Sequence, residues 1–103
     1  MDRKRIEDAQ KILNWAIENL NLSIKCMVIN YRNENYKVQF FTWENKLIRG
    51  VGLNIPKEWI EDTNPTKNDI HDKLKSLLID LEQEAGREMR DLDRNVSKGS
   101  KTN

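Results

Sequence analysis

"LSIKCMVINYRNENYKVQFFTWENKLIRGVGLNIP", residues 22–56, decides the fold. It is rich in β-branched and aromatic residues and alternates polar with apolar in places. The clusters "RNEN" and "EN" interrupt it with turn-forming residues. This pattern predicts a three-stranded antiparallel meander with strands near 22–31, 36–43 and 46–55. Pro56 ends the third strand, because it has no N–H to give to a ladder and its φ is fixed. "PKEWIED" then predicts one helical turn that points Trp59 and Ile60 inward.

The flanks have a different period. Ile6, Ala9, Leu13, Ala16, Ile17 and Leu20 fall on one stripe at helical spacing, which predicts an amphipathic helix over 3–20 with Asp2 near its start. Ile70, Leu74, Leu77, Leu78 and Leu81 form a second stripe and predict a helix over about 67–84. Thr66 with Asp69 resembles a capping box at its start. Gly86 is placed to end this helix, yet Ala85, Met89, Leu92 and Val96 continue its spacing. The order α-β-β-β-(turn)-α predicts an α+β fold. It is a two-layer sandwich with the N-terminal and C-terminal helices on one face of the meander. One domain is expected over 1–96, with a disordered polar tail over 97–103.

The same order occurs in the double-stranded-RNA-binding domain. That family starts its second helix with a lysine-rich KKxAK-type motif and carries a GPxH-type loop. The corresponding stretches here are "PTKNDIHDKL" and "YRNENY", which hold neither motif. Order alone implies no function.

Turn positions set the expected faces. Two-residue turns at Asn33-Glu34 and Glu44-Asn45 oppose Tyr31 to Tyr36, Ile29 to Val38, Thr42 to Leu47 and Val38 to Val51. One face then gathers Met27, Ile29, Tyr31, Tyr36, Val38, Phe40, Leu47, Val51, Leu53 and Ile55 as core. The other holds Ile24, Cys26, Val28, Phe41, Trp43 and Ile48, with Lys37, Gln39, Gly50, Gly52 and Asn54. An apolar patch on an open sheet face marks an interface. Val28, Phe41, Trp43, Ile48, Gly50 and Gly52 are therefore the expected partner-binding residues. The glycines leave a bare strip for close approach.

Several function classes lack their residues. Gly50-Val51-Gly52 is not a dinucleotide fingerprint, since position 55 is Ile and the helical turn begins too late to hold a phosphate. His71 is the one histidine and Cys26 the one cysteine. No metal set is expected from them, no intrachain disulfide, and no activated nucleophile. The carboxylates of the second helix lie mostly off its leucine stripe. No catalytic residue and no cofactor is expected.

Lys and Arg number 18 against 17 Asp and Glu, so the formal net charge is +1. A dedicated nucleic-acid binder normally has a strong basic excess. No apolar run has the length of a membrane span, and "MDRKRIEDAQ" contains no signal-peptide core. The expectation is a small cytoplasmic protein-interaction module without catalytic activity, docking a protein partner or a second copy through the open sheet face. The alternative is weak nucleic-acid binding through the basic, aromatic-bearing sheet. The stretch 85–96 is a competing occupant of the same face.

Overall fold

The computed structural model describes residues 2–101, with side chains through Gly86. The tail expected over 97–103 and any cover supplied by 87–96 lie outside the residues described with side chains. The elements run α1 (Asp2–Asn19), β1 (Ile24–Arg32), β2 (Asn35–Thr42), β3 (Leu47–Pro56), α2 (Lys57–Glu61), a 3-10 turn (Pro65–Lys67) and α3 (Asp72–Lys101). This is the α+β meander with helices packed on one face.

α1 buries Ala9, Leu13, Ala16 and Ile17, the stripe its sequence spells out. It ends in a left-handed cap. Asn21 has φ 57°, Leu22 N–H donates to Ile17 O at 3.0 Å, and Asn21 N–H donates to Glu18 O at 3.0 Å. This bonding satisfies the last carbonyls of the helix, with Asn in the place more often held by Gly.

The sheet order is β1-β2-β3, all antiparallel. The first turn is the expected one. Asn33 and Glu34 both have positive φ, as a twist-matched two-residue hairpin requires, and Arg32 pairs with Asn35.

The register then departs from expectation at three places. A bulge at Ile29 lets Val28, not Ile29, face Val38. The second turn is a three-residue loop, Trp43–Asn45, closed by Thr42 N–H to Lys46 O at 2.8 Å. Asn45 sits at φ 66°, the left-handed position that such loops carry. Phe41 therefore faces Leu47, and Phe40 faces Ile48. Finally, residues 49–52 stand opposite Gln39 alone, because Ile48 pairs with Phe40 and Leu53 with Val38. Arg49 (φ 62°) and Gly50 (φ 69°) make that bulge.

Each departure exchanges faces, since side chains alternate along a strand. Met27, Ile29, Leu47 and Val51, expected in the core, are exposed, while Ile24, Val28 and Ile48 are buried. Leu53 and Ile55 keep their expected face, because the wide bulge restores the phase before Leu53. The core closes with Tyr36, Val38 and Phe40 from β2 and Leu74, Leu78 and Leu81 from α3.

α3 starts at Asp72, later than the spacing predicts. Asn64, not Thr66, caps the preceding 3-10 turn by accepting from Thr66 N–H at 3.1 Å. Asn68 at φ 54° ends that turn. His71 then supplies the cap of α3, its Nδ1 accepting from Lys73 N–H at 3.1 Å. The helix passes through Gly86 instead of stopping there.

Candidate interaction surface

β2 fixes the surface. Its inward residues are Tyr36, Val38, Phe40 and Thr42, and its outward residues are Asn35, Lys37, Gln39 and Phe41. Directly paired residues share a face. Lys25 (paired with Phe41), Met27 (with Gln39) and Leu47 (with Phe41) therefore lie on the side of the sheet turned away from the helices. Trp43 follows in the loop.

One end of this face is apolar. Met27 is 54% exposed, Leu47 43% and Trp43 62%, around a half-buried Phe41. Lys25 Nζ lies 5.3 Å from the centroid of the Trp43 ring and donates to Asn45 Oδ1. It holds the indole partly by cation–π attraction.

The other end is polar and basic. A shallow cleft of about 230 Å³ is lined by Asn30, Arg32, Asn33, Asn35, Lys37 and Asn54. Among the described residues the ion pairs are Arg3–Glu7, Lys4–Asp8, Arg5–Glu61, Arg49–Glu84 and Lys57–Glu34. Lys25, Arg32 and Lys37 take part in none of them. These cations of the open face thus have no ion-pair partner among the described residues.

The expected partner-binding residues separate. Phe41 and Trp43 lie at the apolar end of the open face. Val28 and Ile48 do not, being buried at 7% and 1% exposure; the bulge and the three-residue loop turn them inward. Gly50 and Gly52 do not form a bare strip beside Ile48. Gly50 takes the left-handed backbone of the β3 bulge, with open space where a Cβ would stand, and Gly52 lies against the stem of Lys37, whose Cγ would be 3.0 Å from an added Cβ. Met27 and Leu47 take the places that Val28 and Ile48 were expected to fill. The signal for Leu47 was present in "TWENK", where an Asn at the third loop position suits a three-residue turn.

Comparison with protein-family models, with curated proteins and with solved structures finds no match.

A groove of about 610 Å³ adjoins the apolar end. It runs between α1 and β1 and is lined by Asn14, Ile17, Leu22, Cys26, Met27 and Trp43, among others. Cys26 faces α1 there. Burial pushes its thiol up to about 11, against a smaller lowering by the Gln10 hydrogen bond. A thiol so placed is a poor nucleophile at neutral pH.

No group of His, Cys, Asp and Glu among the described residues is arranged to hold a metal ion. No described helix is long and apolar enough to cross a membrane.

Proposed function

We propose that the chain is a protein-interaction module that docks a partner on the apolar end of its open sheet face. The observation that carries this is the exposure of Met27, Trp43 and Leu47 around Phe41, on the side turned away from the helices. Clustered aromatic and apolar anchors with a charged rim suit the centre of an interface. The rim selects the partner. Stacking two copies over the whole face with like ends aligned brings Lys25, Arg32 and Lys37 of each toward the same cations of the other. Like charges opposed across an interface cost affinity. The partner is therefore a different protein with an acidic surface.

The test pairs wild type with Leu47→Glu as baits. A protein retained by wild type and lost with Leu47→Glu and Lys37→Glu is purified and recombined with the chain. A complex that protects the amides of β1 and β2 supports the reading. Binding that survives both substitutions overturns it, as does dimerisation of the chain alone with rising concentration.

A second reading rests on the polar end. Lys25, Arg32 and Lys37 lie with Asn30, Asn35, Gln39 and Asn54 on one face beside two aromatics, a composition that also suits single-stranded nucleic acid. Oligonucleotide binding that weakens steeply with salt and with Lys37→Glu favours this reading. Binding that is absent or indifferent to salt removes it.

A further inference from the structure

β1 lies at the edge of the sheet, so one side of its backbone has no strand beside it. An unpaired edge is a template for another chain. Gln10 occupies that edge. Its side-chain Nε2 donates to Cys26 O at 3.1 Å, and its Oε1 accepts from Val28 N–H at 2.8 Å. A primary amide that donates and accepts side by side reproduces what the backbone of a neighbouring strand offers. The N–H and C=O of one residue in a strand point to the same side, and those of every second residue repeat it. Ile24, Cys26 and Val28 therefore turn their main-chain groups toward the groove between α1 and β1.

We propose that this groove takes an extended segment of the partner protein as a fourth strand on β1, displacing Gln10. The inference rests on the interaction module proposed above and names how the partner enters it. Met27 and Trp43 belong both to the open face and to the groove wall, so the two surfaces are continuous.

The geometry selects a lone segment over a second copy. α1 packs chiefly against β1. Pairing two copies edge to edge through β1 sets their β1 strands about 4.8 Å apart. Packed helices need about 8–10 Å between axes. The two α1 helices then collide, whereas a single strand has no helix to place.

The lining sets the chemistry of the segment. Ile17, Leu22 and Cys26 call for apolar side chains at alternate positions, on the face turned toward α1. Lys25, in no ion pair among the described residues, calls for an acidic residue on the opposite face, while Glu18 of α1 lines the other side of the groove. This is strand addition, in which main-chain bonds give affinity and alternate side chains give specificity.

The experiment selects a displayed library of random peptides of about 8 residues, the length of a typical strand, against the folded wild-type chain. The best binder is resynthesised with single backbone N-methyl groups. Methylation at every second position is expected to reduce binding at least tenfold, and at the intervening positions far less. Asn14→Trp, which fills the groove, is expected to abolish binding, while Lys67→Ala in the 3-10 turn, outside both surfaces, leaves it within about twofold. Selected peptides are expected to carry Asp or Glu, and Lys25→Glu to remove that preference. Failure to enrich any peptide, or binding insensitive to N-methylation, overturns strand addition. Peptides lost with Leu47→Glu yet indifferent to Asn14→Trp and to N-methylation also overturn it, and leave open-face docking standing. Peptides lost with Asn14→Trp alone, with alternating sensitivity to N-methylation, support strand addition even where the open face binds nothing.

Discussion

The backbone N–H of Val28 donates to Oε1 of Gln10 at 2.8 Å, so a helix side chain holds the free edge of β1. The Gln10 side-chain Nε2 donates to Asn14 Oδ1 at 3.1 Å, which fixes the orientation of its amide. Gln10→Ala leaves the Val28 amide to solvent. Its hydrogen exchange is expected to accelerate at least tenfold, while the amides of β2 keep their protection. Global stability is expected to fall by only about 1 kcal/mol, the net worth of ordinary hydrogen bonds. Equal acceleration across β1 and β2 would show that Gln10 holds the whole sheet instead of its edge.

Gly50 and Gly52 make opposite demands on the β3 bulge. Gly50 has φ 69° and open space around an added Cβ, while an added Cβ at Gly52 meets the flexible Lys37 stem at 3.0 Å and Val38 O at 3.3 Å. An L-residue forced into the left-handed region costs about 1–2 kcal/mol. Gly50→Ala is expected to lose about that much in denaturant unfolding. Gly52→Ala is expected to lose less, because Lys37 moves aside. The reverse order would place the strain of the bulge at Gly52.

Tyr36 donates its hydroxyl to Glu61 Oε2 at 2.7 Å, and the same carboxylate lies 3.7 Å from Arg5 Nε. Arg5 in turn stacks over Tyr31 at 4.4 Å. This cluster ties α1 and α2 to the far end of the sheet. Tyr36 is 1% exposed, whereas Glu61 reaches water. Tyr36→Phe removes the buried donor and leaves a carboxylate that water satisfies. Glu61→Ala leaves a buried hydroxyl without its partner, and an unsatisfied buried group costs about 1–3 kcal/mol. Glu61→Ala is therefore expected to be the more damaging change, read as unfolding free energy in a double-mutant cycle.

The fold was legible because each element carries one strong period. Ala9, Leu13, Ala16 and Ile17 can share a face only in a helix. Tyr36, Val38 and Phe40 share one only in a strand, and β2, the central strand, follows that alternation without interruption. The faces of β1 and β3 were not legible to the same degree. Ile29 carries no residue signal for a bulge. Arg49 takes positive φ, a conformation a long side chain rarely adopts, so nothing at that position announces the change of phase. The open face was thus correctly placed at Phe41 and Trp43, which sit on or next to β2. It was misplaced at Val28 and Ile48, which depend on those irregularities. Gln10 at the β1 edge was missed for another reason: a polar residue on the flank of a helix looks solvated until the strand beside it is placed.

Exposed anchors differ from core residues in what their loss does. Trp43 and Leu47 are 62% and 43% exposed, while Ile48, one residue on, is 1% exposed. Leu47→Ala and Trp43→Ala are expected to change unfolding free energy by no more than about 0.5 kcal/mol, as surface substitutions do. Ile48→Ala is expected to cost about 2–5 kcal/mol. Equal costs at positions 47 and 48 would mean that both faces of β3 are covered.

Cys26 makes stability depend on alkaline pH. Its thiol is raised from 9.0 to about 11, first by burial, with the Gln10 hydrogen bond opposing. A raised pKa means that the folded state keeps its proton where the unfolded state has lost it. The contribution is complete below pH 9, declines as pH climbs from 9 toward 11, and is gone above that window. The shift corresponds to about 2–3 kcal/mol lost across it. Tyr36 acts in the same direction at higher pH, since burial and then the Glu61 hydrogen bond raise its hydroxyl above 10.0. Denaturant unfolding is expected to weaken from pH 9 upward in the wild type. Cys26→Ala is expected to hold its stability until tyrosine begins to titrate. Alkylation of Cys26 by iodoacetamide at pH 8 is expected to be slow in the folded chain and to reach the rate of a free thiol on unfolding. Rapid alkylation of the folded chain, or a wild-type pH profile that matches Cys26→Ala, would mean that water reaches the thiol at the floor of the α1–β1 groove.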